Sequence, residues 1–298
     1  MIPHKYPSNH ERELAKCPIL RLMSNINYNG QISPAEEAVL GPDSRAFRYG
    51  DGLFETMRVS EGKILFLHRH WERLVRGMAF LGIQSPEAWS PKFFQLQCLR
   101  IAPDRGEHRL RTNLWPEGAG KHRPLDHRAA YLITAEALHE PPYPLNETGL
   151  LLGSYHEGKL AANPVDRFKT LNRLPYVLAA HWLDQQPFGG CLLFNLYQRP
   201  VEATSSNLFL IRDRQLLTPT LEEGPLDGVL RSVVLDIAHQ VQLEAIEKPI
   251  EESDLLQADE VFLTNSIQGI KWVGSYKNIT FGWTRTQKLS EYLNFFVR

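Results

Sequence analysis

The segment DRFKTLNRL, residues 166–174, decides how the fold of this chain is assigned. Pro175 follows it and suits the first turn of a helix, so we predict a helix over residues 175–185. Ahead of it, residues 150–155 have the apolar character of a strand. Taken alone, Lys169 would be an ordinary surface lysine, and its meaning depends on the elements around it.

Beyond this segment, strands and helices alternate up to the C-terminus. The pattern predicts strands over residues 191–196, 207–211 and 260–264, and helices over residues 229–241 and 284–296. Alternation of this kind is typical of an α/β region. We therefore assign residues 150–298 to a larger α/β domain.

Ahead of the segment, the pattern indicates a different kind of domain. We predict strands over residues 53–59, 64–67, 109–115 and 129–137, and a helix over residues 68–82 that ends at a glycine. Three prolines within residues 141–144 can continue neither a helix nor a central strand. The sequence thus predicts a mixed α/β (α+β) fold in two domains: an extension over 1–21, a smaller α+β domain over 22–140, a linker over 141–149, and the larger domain.

Composition excludes several classes of protein. The 33 basic and 34 acidic side chains leave a net charge of −1, with no basic block that would suit a nucleic acid. Three cysteines, far apart, predict neither a disulfide framework nor a structural zinc site. No apolar run is long enough to span a membrane, and residues 1–16 lack the apolar region of a secretory signal. We expect a cytoplasmic protein without membrane or nucleic-acid partners. A small anionic substrate is compatible with this composition, because it would leave no trace in the net charge.

Three motifs in the larger domain carry polar groups where ligands often bind. Glu202 lies in a run of small hydroxyl-bearing residues, which alone also fits a solvated turn. Gly228 precedes a predicted amphipathic helix, whose first backbone N–H groups could bind phosphate, although most such helix starts bind nothing. The strand 260–264 ends in polar residues, the usual position of ligand contacts in an open sheet.

Two histidines offer a metal-binding alternative. His68 and His70 are two residues apart, so in a strand both could face one side. Their position at a strand-to-helix junction instead favours two exposed histidines. We therefore expect no metal.

Together, five separated blocks resemble the class IV (fold type IV) pyridoxal-phosphate enzymes, a family of branched-chain aminotransferases, D-amino-acid aminotransferases and aminodeoxychorismate lyases. The blocks are YGDGLFE (residues 49–55), HWERL (70–74), KTLNRL (169–174), EATSSNLF (202–209) with GVLR (228–231), and ADEVF (258–262) continuing to Ile270. The resemblance implies a two-domain fold that holds pyridoxal 5′-phosphate in the cleft between the domains. It also implies a homodimer with pockets near its interface.

The resemblance implies roles for the residues that face the cofactor ring. Lys169 would form the Schiff base, and its amine, once released, would move the substrate Cα proton as base and acid. Glu202 would lie against the pyridine nitrogen, where a carboxylate keeps that nitrogen protonated. Ser205 and Ser206 would leave room for the ring.

The same resemblance places the cofactor phosphate on Arg73, through paired hydrogen bonds. The rest of the phosphate cradle would come from the helix start and the strand end: Gly228, the amides of Val229 and Leu230, and the hydroxyl of Ser266. Asp227 is interpreted as the N-cap of that helix.

Substrate recognition is implied for four residues. Tyr49 and Arg111 match positions that help to bind a carboxylate in branched-chain aminotransferases, although Arg111 equally fits a solvent-facing strand residue. Thr264 and Asn265 would shape the pocket near the α-carboxylate.

The reaction subtype has two interpretations. Branched-chain aminotransferases carry a tyrosine five residues after the lysine, where this chain has Leu174, and the segment 169–174 resembles aminodeoxychorismate lyases. Residues 54–56, Phe-Glu-Thr, look more like the transaminases. We expect an aminotransferase that acts on an amino acid and a 2-oxo acid. The alternatives are a 4-amino-4-deoxychorismate lyase and, more remotely, a ligand-binding homologue without catalysis.

Overall fold

The computed structural model describes residues 25–37, 40–102 and 105–297. It contains two separate β-sheets with helices packed on them. The sheets lie on either side of residues 141–149, where the sequence places the linker. The domain bounds stay a prediction, and the predicted extension over residues 1–21 lies outside the described residues.

The first sheet is antiparallel and has the strand order β2-β1-β6-β5-β3-β4. Its strands are β1 (Asn25–Tyr28), β2 (Gln31–Pro34), β3 (Leu53–Ser60), β4 (Lys63–Ile64), β5 (Glu107–Pro116) and β6 (Ala129–Leu138). Among the described residues, three α-helices accompany it, α1 (Arg45–Tyr49), α2 (Leu67–Leu81) and α3 (Pro91–Leu99), together with a 3₁₀ turn at Ala35–Glu37.

The second sheet is mixed, with the order β12-β11-β10-β13-β14-β7-β8-β9. Its strands are β7 (Leu150–Leu160), β8 (Gly190–Asn195), β9 (Pro200–Ala203), β10 (Ser206–Arg212), β11 (Gln215–Pro219), β12 (Glu244–Lys248), β13 (Glu260–Asn265), β14 (Gly269–Tyr276) and β15 (Ile279–Thr280). Because β9 also pairs with β10, six strands close on themselves. The helices here are α4 (Leu174–Leu183), α5 (Val229–Ile237), α6 (Glu252–Leu256) and α7 (Thr284–Phe295).

Helix α2 packs one face on the first sheet because its buried residues recur every three or four positions. These residues are His70, Arg73, Leu74, Gly77 and Met78. The apolar members join Met57 and Val59 of β3 in one core. Since two polar side chains belong to the same buried face, this packing also fixes where His70 and Arg73 lie.

The structure differs from the sequence predictions at several places. The return strand predicted over residues 64–67 covers only Lys63–Ile64, because Phe66 takes a left-handed φ of 54° and helix α2 begins at Leu67. The helix predicted over 229–241 is α-helical to Ile237 and then tightens into a 3₁₀ turn, Ala238–Val241. Sequence periodicity also missed α1, α3, α6, β9, β11, β12, β14 and β15.

Candidate active site

A cavity of about 480 Å³ lies between the two sheets. Twelve of the thirteen residues predicted for the site line it: Arg73, Arg111, Lys169, Glu202, Ser205, Ser206, Gly228, Val229, Leu230, Thr264, Asn265 and Ser266. The exception is Tyr49, which lies on α1 with 39% of its surface exposed and its ring 5.7 Å from that of His122. The fold therefore collects residues that are far apart in the chain into one space.

Lys169 is held where the first sheet meets the second. Its carbonyl accepts a hydrogen bond from the Phe54 N–H at 2.8 Å, and the neighbouring Phe168 is buried in the core of the first sheet. Gly52 is needed beside it, since a Cβ there would lie 2.4 Å from the Leu114 carbonyl oxygen. The backbone hydrogen bond to β3 thus fixes Lys169 at the wall of the cavity that its side chain lines.

The pKa of the Lys169 amine lies well below its ordinary value. Burial lowers its pKa, and the nearby Arg73 and Arg173 cations lower it further, to about 7 against an ordinary 10.5. Nζ lies 4.5 Å from the centre of the Phe54 ring. A substantial fraction of the amine is therefore neutral near pH 7, and only the neutral amine is a nucleophile or a base.

Glu202, on β9, is buried and lines the same cavity. Its Oε1 accepts a hydrogen bond from the Tyr176 hydroxyl at 2.5 Å, and its Oε2 accepts from Asn207 Nδ2 at 3.2 Å and the Leu226 N–H at 3.1 Å. Burial raises the pKa of this carboxyl, while the Tyr176 hydrogen bond and the positive charge of Arg173 oppose that rise.

Arg73 is anchored by Glu55, a residue that the motif comparison contained but to which it assigned no role. The guanidinium donates from Nε to Glu55 Oε1 at 2.8 Å, from Nη2 to Glu55 Oε2 at 2.6 Å, and from Nη1 to the Asp227 carbonyl at 2.9 Å. A guanidinium has five N–H donors, so two remain for a ligand in the cavity.

His70 completes this buried cluster. Its Nδ1 lies 2.6 Å from Glu55 Oε2, and the ring is fully buried, which lowers its pKa. Burial would raise the pKa of Glu55, but Arg73 and His70 more than compensate and lower it to about 2. The expectation of two exposed histidines was wrong for His70. His68 is exposed and pairs with Glu72 at 3.1 Å, so the two rings do not share a site.

The start of helix α5 provides backbone donors. Val229 and Leu230 occupy its first turn, where N–H groups have no partner within the helix. Gly228 is the N-cap, not Asp227 as predicted, and the Asp227 carboxylate instead accepts from Arg76 at 2.9 Å. A Cβ on Gly228 would lie only 1.9 Å from Asn207 Oδ1, so this approach of the backbone requires glycine.

The end of strand β13 adds polar groups to the same region. Among the described residues, the buried hydroxyl Oγ1 of Thr264 has no hydrogen-bond partner. Asn265 donates to Ser206 Oγ at 2.9 Å and turns the chain by accepting from the N–H groups of Ile267 and Gln268. Thr264, Asn265 and Ser266 thus line the cavity with polar side chains at the end of β13.

The opposite wall is the face of the first sheet. Strand register places Thr56, Arg111 and Thr134 side by side, with Arg109 and Glu136 in the next row and paired at 2.8 Å. Arg111 donates from Nε to Asn113 Oδ1 at 3.0 Å, and its Cζ lies 3.9 Å from the centre of the Phe54 ring. Arg111 lines the cavity and is also exposed, so both interpretations of this residue fit the structure.

Sequence reasoning missed Glu55, Arg109, Tyr176 and Asn207 as members of this site. Their positions follow from strand register and helix phase, which the sequence alone leaves open. For Tyr176, the only signal was its place two residues after Leu174 in the predicted helix. Leu174 itself is 61% exposed and does not line the cavity.

No helix among the described residues is both long and apolar enough to cross a membrane. Within the same residues, no group of three or more potential metal ligands comes together.

Comparison with known proteins identifies the family. The family model described as "Amino-transferase class IV" matches residues 52–276. A putative branched-chain-amino-acid aminotransferase of Methanocaldococcus jannaschii is 27% identical over 253 residues, which are 81% of this chain and 84% of that protein.

Two solved structures are similar throughout. One is the 4-amino-4-deoxychorismate lyase of Pseudomonas aeruginosa, with a TM-score of 0.75 and 30% identity over 86% of this chain and 95% of the other. The other is the branched-chain aminotransferase of the thermophilic archaeon Thermoproteus uzoniensis with norvaline, with a TM-score of 0.80 and 22% identity over 91% and 94%. The fold-type IV assignment is thereby confirmed.

Proposed function

Since the chain belongs to the class IV aminotransferase family, we propose that it is a pyridoxal-phosphate-dependent aminotransferase that moves an amino group between an amino acid and a 2-oxo acid. The observation that carries this proposal is the Lys169 amine, which lies in the cavity with a pKa of about 7. Glu202 and Arg73 line the same cavity. No nucleic-acid partner is proposed.

The residues present fit this cofactor. The two remaining Arg73 donors, the first-turn amides of α5 and the Ser266 side chain form a group of donors suited to a phosphate. The buried carboxylate of Glu202 suits a protonated ring nitrogen. When bound, pyridoxal phosphate supplies an aldehyde that condenses with amines and a ring that accepts electrons from the substrate Cα.

We assign each residue of the cavity a role toward the phosphate, the ring or the substrate proton. Arg73, Val229, Leu230 and Ser266 bind the phosphate, and Gly228 lets the backbone approach it. Lys169 accepts the proton from the substrate Cα at its Nζ and donates it again. A pKa of about 7 allows both steps at neutral pH. Ser205 and Ser206 line the cavity with small side chains and leave room for the ring.

The substrate carboxylate is assigned to the wall formed by the first sheet. Arg111 lies between Thr56 and Thr134, and its terminal nitrogens are the donors available for a carboxylate. Thr264 and Asn265 are assigned to the same carboxylate end from the second sheet. Both amino acids and 2-oxo acids carry this group, as a reaction that alternates between them requires.

The choice of an aminotransferase rests on Glu55. It belongs to the transaminase-like segment Phe54-Glu55-Thr56, and it joins Arg73 and His70 in a buried cluster at the cavity. A second candidate, a 4-amino-4-deoxychorismate lyase, is favoured by the segment 169–174 and by the exposed Leu174 where branched-chain enzymes carry a tyrosine. The 30% identity to the Pseudomonas aeruginosa lyase also supports it.

One assay separates these two reactions. The purified protein, loaded with pyridoxal phosphate, is mixed with a panel of L- and D-amino acids while the cofactor absorbance and the 2-oxo acid are measured. In parallel, it receives 4-amino-4-deoxychorismate, and 4-aminobenzoate is measured. We expect conversion of the cofactor by an amino acid and its recovery with 2-oxoglutarate or pyruvate, both lost in Lys169→Ala. Formation of 4-aminobenzoate alone would make the aminotransferase assignment wrong.

The remote alternative is a homologue that binds ligands without catalysis. The intact Lys169, Glu202 and Arg73 in one cavity speak against it. Addition of pyridoxal phosphate to the purified apo protein distinguishes the two, because a protein without the lysine chemistry would leave the cofactor absorbance unchanged.

We further propose a homodimer in the cytoplasm. Helix α4 exposes Leu174, Val177 and Leu178 at helical spacing, with 61%, 45% and 46% of their surfaces exposed, an apolar stripe that a second copy would cover. Light scattering should give twice the monomer mass, and Val177→Asp with Leu178→Asp should give the monomer mass. A wild-type monomer would contradict the proposal.

The buried free thiols Cys98 and Cys191 fit the reducing compartment that we propose, the cytoplasm.

A further inference from the structure

Helix α4 directs a tyrosine hydroxyl to a buried carboxylate in the wall of the cavity. Leu174 and Tyr176 are two positions apart, which places them on different sides of the helix. Leu174 is exposed, whereas Tyr176 lines the cavity and donates its O–H to Glu202 Oε1 at 2.5 Å. This hydroxyl therefore reaches the site from a position that the motif comparison did not consider.

The contacts of Glu202 show which of its lone pairs remains for a ligand. A carboxylate can accept about four hydrogen bonds, two on each oxygen. Oε2 already accepts from Asn207 Nδ2 and the Leu226 N–H, and Oε1 accepts from Tyr176 alone. A donor from the cavity must therefore share Oε1 with the Tyr176 hydroxyl.

Nearby cations and hydrogen bonds favour the charged form of Glu202, whereas its burial favours the neutral form. Arg173, Lys169 and Arg73 are the cations that act on this region, and Arg173 packs its Cζ 4.8 Å from the centre of the Tyr176 ring. Burial raises the pKa of Tyr176 far above its ordinary value, so the hydroxyl stays a neutral donor. Burial also raises the pKa of Glu202, and the Tyr176 hydrogen bond is the first of the contacts that oppose this rise.

We propose that Tyr176 is a positioning residue that orients Glu202 and keeps it ionised, so that a ring nitrogen held by this carboxylate would stay protonated. The proposal rests on the proposed function, because it takes that ring to be pyridoxal phosphate. Tyr176 acts through Glu202 and leaves the phosphate contacts unchanged. It therefore tunes how well the ring accepts electrons, independently of how the cofactor is anchored.

The test begins with the apo protein and the variant Tyr176→Phe. Infrared difference spectra against Glu202→Gln isolate the carboxyl stretch of Glu202, and its pH titration gives the midpoint of ionisation. Loss of one charge-assisted hydrogen bond should move that midpoint upward by about one pH unit. The matched control is Tyr276→Phe, because Tyr276 also donates to a glutamate, Glu252 Oε1 at 2.5 Å, away from the cavity. This control should leave the Glu202 midpoint unchanged.

A second measurement uses the loaded protein. With ¹⁵N in the pyridine ring of pyridoxal phosphate, the nitrogen resonance of Tyr176→Phe should move from the protonated toward the unprotonated position. The control Tyr276→Phe should match the wild type. A role confined to packing would lower thermal stability in both variants but would leave this resonance in place.

The possible outcomes separate the two proposals. If the wild-type protein takes up pyridoxal phosphate while Tyr176→Phe changes neither the Glu202 midpoint nor the ring-nitrogen resonance, the role of Tyr176 is refuted and the proposed function stands. If the wild type takes up no pyridoxal phosphate, the proposed function fails and this inference fails with it. If Tyr176→Phe does not fold, the wild type is labelled with ¹³Cζ-tyrosine and titrated with acid. The Tyr176 signal should then shift at the same pH at which Glu202 ionises, and a signal that does not shift there would refute the role.

Discussion

Arg73 and Glu55 form a buried two-point ion pair, with Nε 2.8 Å from Oε1 and Nη2 2.6 Å from Oε2. The arginine comes from helix α2 and the glutamate from strand β3, so the pair fixes the helix against the sheet at the edge of the cavity. Glu55 keeps its charge at all working pH values, because its pKa is lowered to about 2. The orientation of the guanidinium that we propose to bind the phosphate is thus fixed by contacts within the protein.

The first prediction concerns this pair. Glu55→Gln removes one charge and one of the two parallel hydrogen bonds, so Arg73 loses its fixed orientation. We expect the dissociation constant of pyridoxal phosphate from the apo protein to rise roughly tenfold or more, as for the loss of a charge-assisted hydrogen bond. Fluorescence titration measures it. Glu136→Gln, which disrupts the more exposed pair with Arg109, is the control and should retain the wild-type constant.

The second prediction concerns the pH dependence of the apo protein. The pKa of Lys169 is lowered from 10.5 to about 7 on folding. Between these two values the unfolded chain binds a proton that the folded chain does not, so the free energy of unfolding should increase as the pH rises from about 7 toward 10.5.

The rate at which the apo protein incorporates pyridoxal phosphate should also increase with pH through about 7, since only the neutral amine of Lys169 attacks the aldehyde. Stopped-flow absorbance measures this rate, and urea titrations measure the stability. In Lys169→Met the corresponding gain in stability should disappear. An incorporation rate that does not change with pH around 7 would contradict the lowered pKa of Lys169.

The third prediction concerns the helix start. In Gly228→Ala, the new Cβ would meet Asn207 Oδ1 at 1.9 Å, so either the helix start or Asn207 must move. Because Asn207 also donates to Glu202, both the phosphate and the ring ends of the site should be disturbed. We expect cofactor affinity to fall by roughly tenfold or more, measured by absorbance titration. Gly41→Ala is the control, because no atom of the described residues, its chain neighbours aside, lies within 4 Å of its added Cβ.

The fourth prediction concerns Arg111. Arg111→Gln removes the charge assigned to the substrate carboxylate but leaves the cofactor contacts intact. The KM for the amino acid should rise about tenfold to a hundredfold, as for the loss of a charge-assisted hydrogen bond, while the cofactor affinity stays the same. Steady-state kinetics measure the change. The exposed Arg128→Gln, whose partner Asp126 lies in the same loop, should behave as the wild type. Equal KM values in the two variants would remove Arg111 from the substrate site.

The amino-acid sequence by itself determined the family and most members of the site. The blocks around Arg73, Lys169, Glu202 and Gly228 resemble those of the family, and the chemistry of each residue type suits the role that we propose for it. The strong local signals, such as the helix over α2 and the strands β3, β5 and β6, were also predicted within a few residues. These features depend on local periodicity and residue type, which the sequence contains directly.

Only the tertiary structure decided which side chains meet. The pairing of Glu55 with Arg73 and His70 depends on how helix α2 is rotated on the sheet, and the contact of Tyr176 with Glu202 depends on the phase of helix α4. Strand register decided that Arg111 lines the cavity, and the rotation of helix α2 on the sheet decided that His70 is buried. These contacts join residues distant in the chain, and they are set by packing, which local patterns do not specify.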